Sequence, residues 1–358
     1  MSKTKRIAGL DLIRFLSALG IISYHYFFIG VIQGFYSEEV FHPITFWGEL
    51  GVDIFFIISG FVILYSAERR KSSSEFLKGR IIRIYPAFII CSIFTLITGI
   101  FMPGTTIKDF LFRWINSLTL CNDIWGVPPL SSIYWTLMVE MKFYILVAII
   151  KKIKLWKKHK YHILFLWIWL SILNMFTFQW SWFEILFNSN YSGHFALGIV
   201  MYLFYKGHRD KWMPPICIGA IWLIYRNCIS YITWIRSIYE NLSYSDIDIL
   251  FAVAVVIVLI FFSINVPMKD NDLYKIVPLL GSWSYTIYLI HADFGYFIRT
   301  SYYTRLTVWI PCLLEFVNEH LIMFFSIVLS LLVSYIVLLL TEKISIYLEL
   351  FKETKKQV

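Results

Sequence analysis

Charge is scarce in this chain. Only 15% of its 358 residues are Asp, Glu, Lys or Arg and 59% are hydrophobic, whereas about a quarter of the residues of a soluble domain are charged. That balance excludes a soluble enzyme. Cysteine is scarce as well: Cys91, Cys121, Cys217, Cys228 and Cys312 show neither metal-ligand spacing nor an even disulfide framework, which argues against structural zinc. The sequence has no internal repeat, no low-complexity linker and no extramembrane stretch long enough for a second folded domain. A small-residue cleavage site is missing after the first apolar run, which ends in bulky Tyr24, Tyr26, Phe27 and Phe28, so this run is expected to be retained and not cut off as a signal peptide.

What fills the chain instead is a succession of apolar runs, each near the ~20 residues that cross ~30 Å of hydrocarbon. Spanning segments must be helices or closed barrels, and these runs are too long and continuous for barrel strands. The expected fold is therefore an all-α polytopic transmembrane helical bundle of about ten spans, placed at 7–29, 46–66, 81–101, 135–150, 161–178, 191–205, 213–229, 247–265, 278–298 and 320–341. Short cytoplasmic loops are enriched in positive charge. With both termini inside, most of the 32 Lys and Arg residues fall in the inner segments. Only Lys108, Arg113, Arg226, Arg236, Arg299 and Arg305 fall outside, and Arg14 and Lys142 within helices. One membrane domain over 1–345 and a basic cytoplasmic tail over 346–358 follow. The net charge of +9 thus belongs to scattered inner loops that face lipid and anionic cytosolic ligands, and no nucleic-acid-binding signature accompanies it.

Against this background Arg14 and His25 stand out. Leu12 to Ile29 is uncharged except for Arg14, and an ionisable group in a span is by default a functional-site hypothesis whose side chain must face protein. Eleven positions turn through three circles plus roughly 20°, so both side chains share one helix face, about 16 Å apart along the axis. Asp11 joins the same stripe. A buried ion pair and an ordinary core histidine are the plainer alternative.

Depth along the predicted spans groups more polar residues. His25, Asp53 in GELGVDIFFIISGF, Glu140 in YWTLMVEMKFY and His291 in SYTIYLIHADF all fall within roughly 6 to 11 Å of the outer boundary. Two imidazoles and two carboxylates at one depth can supply a general base, or equally a proton relay. Ser284, Tyr288 and His291 stand at i, i+4 and i+7 on one helix face, a spacing that simple packing also produces. Near the inner boundary, Arg80 and Arg83 in FLKGRIIRIYPAF stand at i, i+3. With Arg14 they form three planar guanidinium forks suited to a polyphosphate, or merely the positive charge expected inside. Pro86 is expected to loosen this helix one turn later.

These residues carry a resemblance. GLDLIRFLSALGIISYHY, GVDIFFIISGF, GRIIRIYP, WTLMVEMKFY and SYTIYLIH resemble, in order, the blocks of the acyltransferase-3 family of integral membrane O-acyltransferases, which modify bacterial surface glycans. The blocks cover the first four predicted helices and the ninth; the others match only in hydrophobic character. The resemblance implies transfer of an acyl group, usually acetyl, from cytoplasmic acyl-CoA to a hydroxyl of a cell-surface or lipid-linked glycan across the cytoplasmic membrane. It implies that Arg14, Arg80 and Arg83 bind acetyl-CoA, that His25 is catalytic and that Glu140 assists it, with no metal. Some members carry an extracellular hydrolase-like domain. This chain ends soon after its last predicted helix, so a stand-alone enzyme is expected, with direct transfer or a separate extracytoplasmic or polysaccharide-synthesis partner. Two other classes compete: a flippase or transporter for a lipid-linked glycan, against which the inverted repeats or interrupted helix pairs common in carriers are missing, and a non-catalytic subunit of a polysaccharide synthase.

Overall fold

The computed structural model describes residues 7–101, 106–265, 272–301 and 318–357. The expected basic segment 1–6, the inner loop around 267–271, Arg305 and Cys312 lie outside them. Every described element is helical. Besides short 3₁₀ turns at Glu38–Val40 and Ser189–Tyr191, these are in chain order α1 (Ala8–Ile32), α2 (Pro43–Arg69), α3 (Ser73–Ile100), α4 (Ile107–Ser117), α5 (Asn122–Trp125), α6 (Ser132–Lys152), α7 (Trp156–Phe178), α8 (Ser181–Phe187), α9 (Ser192–Tyr205), α10 (Met213–Ile238), α11 (Asp246–Asn265), α12 (Asp272–Ser301) and α13 (Glu319–Gln357).

Among the described residues eight helices are long and apolar enough to cross a membrane: α1, α2, α3, α6, α7, α10, α11 and α13. The protein is an all-α polytopic membrane protein. The other two expected spans are also helices, but they differ from the expectation in a physical way. The run at 191–205 becomes α9, whose 14 residues rise only about 21 Å, short of a hydrocarbon core. The run at 278–298 lies inside the 30-residue α12, which is long enough but diluted by Ser282, Ser284, Thr286, His291 and Asp293. Exposed apolar side chains such as Phe251 and Phe262 on α11 and Leu332 and Ile336 on α13 are what a lipid-facing surface requires.

The chain divides into two compact units. The first comprises Met1–Arg14, Leu50–Gly79 and Thr136–Pro278, and the second Phe15–Glu49, Arg80–Trp135 and Leu279–Val358. In the first unit, α9 is almost wholly buried and packs against α2 with backbone touching backbone: a Cβ on Gly60 would strike the Phe195 carbonyl, and one on Gly198 the Ile57 carbonyl. Small residues allow such close helix pairs where lipid supplies no hydrophobic drive. In the second unit, α1 does not stay α-helical. His25–Ile29 is a π turn, a single widened turn frequent at functional sites. Helix α3 runs through Pro86 as one continuous helix from Ser73 to Ile100.

Candidate active site

The π turn of α1 delivers His25 and Tyr26 to the second unit together. Tyr26 is fully buried; its hydroxyl donates to the carbonyl oxygen of His291 at 2.6 Å and pairs with Ser330 Oγ at 2.9 Å. The approach is possible because residue 295 is glycine, where any Cβ would collide with the Tyr26 hydroxyl. The phenol thus ties α1 to α12 at His291 itself, with Gly295 one turn further on.

His291 is 1% exposed. Its Nδ1 lies 2.9 Å from the Tyr288 carbonyl and 3.2 Å from that of Ile287. Carbonyls only accept, so Nδ1 carries the hydrogen and Nε2 the lone pair. That Nε2 is buried and has no hydrogen-bond partner among the described residues. The ring stands edge to face with His25 at a centroid separation of 4.7 Å. His25 is half-buried, with Nδ1 3.1 Å from the hydroxyl of Tyr296.

The remaining expected residues are placed as follows. Ser284 is fully buried and donates to its own helix at Gly281, and Tyr288 donates to the Ile133 carbonyl at 3.2 Å, so both are engaged in the packing of α12. Arg80 is only 8% exposed, whereas Arg83 is exposed. These belong to the second unit. Asp53 and Glu140 belong to the first. Asp53 Oδ1 meets Nε2 of His194 at 2.6 Å, and His194 is fully buried. Glu140 Oε1 accepts the Ser59 hydroxyl at 2.7 Å and also that of Tyr144, and two donors on one oxygen hold the carboxylate in a fixed orientation. Arg14 lies with its guanidinium 5.9 Å from the centroid of the Phe55 ring, within cation–π range; Asp11 is half-buried on the same helix.

Four residues of this arrangement escaped the sequence reading. His194 and Asp293, the latter hydrogen-bonded to Ser131, could have been found by the rule that flagged Asp53, since both are ionisable groups in apolar helices. Tyr26 and Tyr296 carry no such signal in a chain of 23 tyrosines.

Comparison with known proteins decides the class. A family model described as an acyltransferase domain matches residues 7–339. The chain belongs to the acyltransferase-3 family. It is an acyltransferase by that membership, in keeping with its relatives. Protein ORF330 of Acidianus two-tailed virus is 23% identical over 291 residues, covering 80% of this chain and 82% of the viral protein. Nodulation protein 10 of Rhizobium leguminosarum bv. viciae is 30% identical over 129 residues, which is 31% of this chain and 34% of that one. The O-acetyltransferase OatA of Staphylococcus aureus strain NCTC 8325 is 29% identical over 169 residues, 42% of this chain but only 25% of OatA. No solved structure matches the chain. Among the described residues of this acyltransferase no group of three or more His, Cys, Asp or Glu could hold a metal ion.

Proposed function

We propose that this acyltransferase sits in the cytoplasmic membrane and moves an acetyl group from cytoplasmic acetyl-CoA to a hydroxyl of a cell-surface or lipid-linked glycan, with His25 as the general base. The observation that carries the reading is an imidazole pair, half-buried His25 on the π turn of α1 and buried His291 on α12, in a chain matched from residue 7 to 339 by an acyltransferase domain. The name of one relative, O-acetyltransferase, supports acetyl as the group and oxygen as the acceptor atom.

In this reading His25 takes the proton of the acceptor hydroxyl as its oxygen attacks the thioester carbonyl. Base catalysis of this kind supplies about 10² to 10⁴ in rate, and positioning of two bound substrates much of the rest. The leaving thiolate, with a pKa near 8.5 in free thiols, departs without much assistance, so the demand falls on the hydroxyl. Arg14, Arg80 and Arg83 would hold the phosphates of the donor, because guanidinium forks match phosphate oxygens in pairs. Glu140 would serve as the assisting carboxylate, as the family pattern implies.

The test uses inside-out vesicles containing the protein, given radiolabelled acetyl-CoA, with label followed into the glycan and lipid-linked fractions. Wild type should transfer label and His25→Ala should not, at matched protein levels. Failure of wild type to bind or transfer from acetyl-CoA while native acceptor is abundant would overturn the enzyme assignment in favour of glycan export.

A further inference from the structure

Tyr296 touches His25 twice. Its hydroxyl lies 3.1 Å from His25 Nδ1 and donates to the carbonyl oxygen of His25 itself at 3.3 Å. That carbonyl is the one on which the π turn closes, since it also accepts the N–H of Gly30 five residues on. A phenol has one proton and two lone pairs. With the proton on the carbonyl, a lone pair of the hydroxyl is left for Nδ1, which must then carry hydrogen, and both short contacts are hydrogen bonds. With the proton turned to Nδ1, the two oxygens would face each other at 3.3 Å with no hydrogen between them. The first arrangement satisfies one contact more.

The phenol is also held in place. Tyr296 is 8% exposed; its ring stacks on Phe35 at 4.2 Å with planes 6° apart and meets Tyr36 edge-on at 5.8 Å. A hydroxyl fixed this firmly against one nitrogen selects between the two neutral tautomers of an imidazole, and Nδ1–H leaves the lone pair on Nε2.

Resting on the reading of His25 as the base, we propose that Tyr296 is a positioning residue that fixes His25 in its Nδ1–H tautomer and thereby makes Nε2 the proton-accepting nitrogen. The acceptor O–H bond breaks and its proton passes to Nε2. The oxygen forms a C–O bond to the acyl carbon, the C–S bond breaks, and Nε2 returns the proton to the departing thiolate. Throughout, Nδ1–H stays on the Tyr296 oxygen and stabilises the transient imidazolium.

Tyr296→Phe keeps the ring and its stack on Phe35 and removes only the hydroxyl. In reconstituted full-length protein, kcat should fall about 10- to 100-fold, while KM for acetyl-CoA stays within about twofold because no ground-state contact to donor is lost. An independent measurement reads the tautomer directly: nitrogen-15 NMR of histidine-labelled protein in bilayers, with the His25 signals identified by their disappearance in His25→Gln. Wild type should show a protonated Nδ1 and a bare Nε2, and Tyr296→Phe a mixture. An Nε2–H tautomer in wild type overturns the proposal whether or not the variant folds. A wild-type kcat in Tyr296→Phe beside an inactive His25→Ala also overturns it while sparing the base. Activity surviving in His25→Ala removes the base reading itself, and the proposal with it.

Discussion

The rings of His25 and His291 meet edge to face with planes 76° apart, and the second ring is pinned by two carbonyls of its own helix. A pinned ring is a wall that sets where the first can lie. His291→Phe keeps an aromatic ring in that place but deletes both nitrogens, Nδ1 with its two carbonyl contacts included. If Nε2 of His291 takes part in holding the acceptor, this variant should lose about 10-fold or more in kcat/KM, and adding it to His25→Ala should cost little further, because residues acting as a unit are not additive. Steady-state transfer by the two single variants and the double variant checks this.

Donor binding should be separable from chemistry. Arg14→Ala and Arg80→Ala are expected to weaken acetyl-CoA binding about 10- to 100-fold, while His25→Ala binds it as wild type does. Arg83, being exposed, should matter less than the buried Arg80, since screened surface charge contributes little. Equilibrium binding of labelled acetyl-CoA to purified variants gives the order directly; an Arg83 effect larger than that of Arg80 would reverse the assignment.

Asp53 and His194 form a buried pair at 2.6 Å. Removing one member leaves the other buried and less satisfied, at a cost of about 1–3 kcal/mol. Asp53→Ala and His194→Phe should each lower thermal stability in detergent, and the double variant should fall short of the sum by about 0.5–3 kcal/mol, the range of coupling between residues in contact. Additive losses would mean that the contact contributes nothing.

Gly295→Ala puts a methyl group where the Tyr26 hydroxyl docks. Overpacking of this kind costs about 1–3 kcal/mol. Tyr26→Phe loses the bonds to His291 and Ser330 but creates no clash, so it should be the milder change, and in the double variant it should relieve part of the glycine effect. Thermal unfolding of the three variants in one detergent tests the ordering.

Much of this was legible in the chain. Length and hydropathy located most of the helices because a hydrocarbon slab imposes a repeating length, and the rule that makes intramembrane ionisable groups candidates for function singled out Arg14, His25, Asp53, Glu140 and His291 for inspection. Depth arithmetic, however, fixes a residue along an axis and not around it. It grouped His25, His291, Asp53 and Glu140 at one level, and the structure pairs His25 with His291 and Asp53 with His194, a histidine on the short α9. The same limit hid Tyr26 and Tyr296, whose importance lies in which neighbour their hydroxyls reach, something that no periodicity encodes. The span count suffered from a different cause. A helix shielded by other helices, such as α9, can be short, and a helix that buries polar side chains, such as α12 with Ser284, Thr286 and His291, can be polar, so apolar length alone describes neither.

A π turn is an α-helix carrying one surplus residue. The stretch His25–Ile29 therefore has a reading frame: excising one of its residues would let the helix close as ordinary α, with the segments before and after keeping their phase and side chains inside the turn shifted by about 100°. Tyr26 would leave its seat beside Gly295, and His25 would lose the carbonyl geometry that Tyr296 engages. Point substitutions in this segment are matters of degree, whereas a single deletion shifts its register.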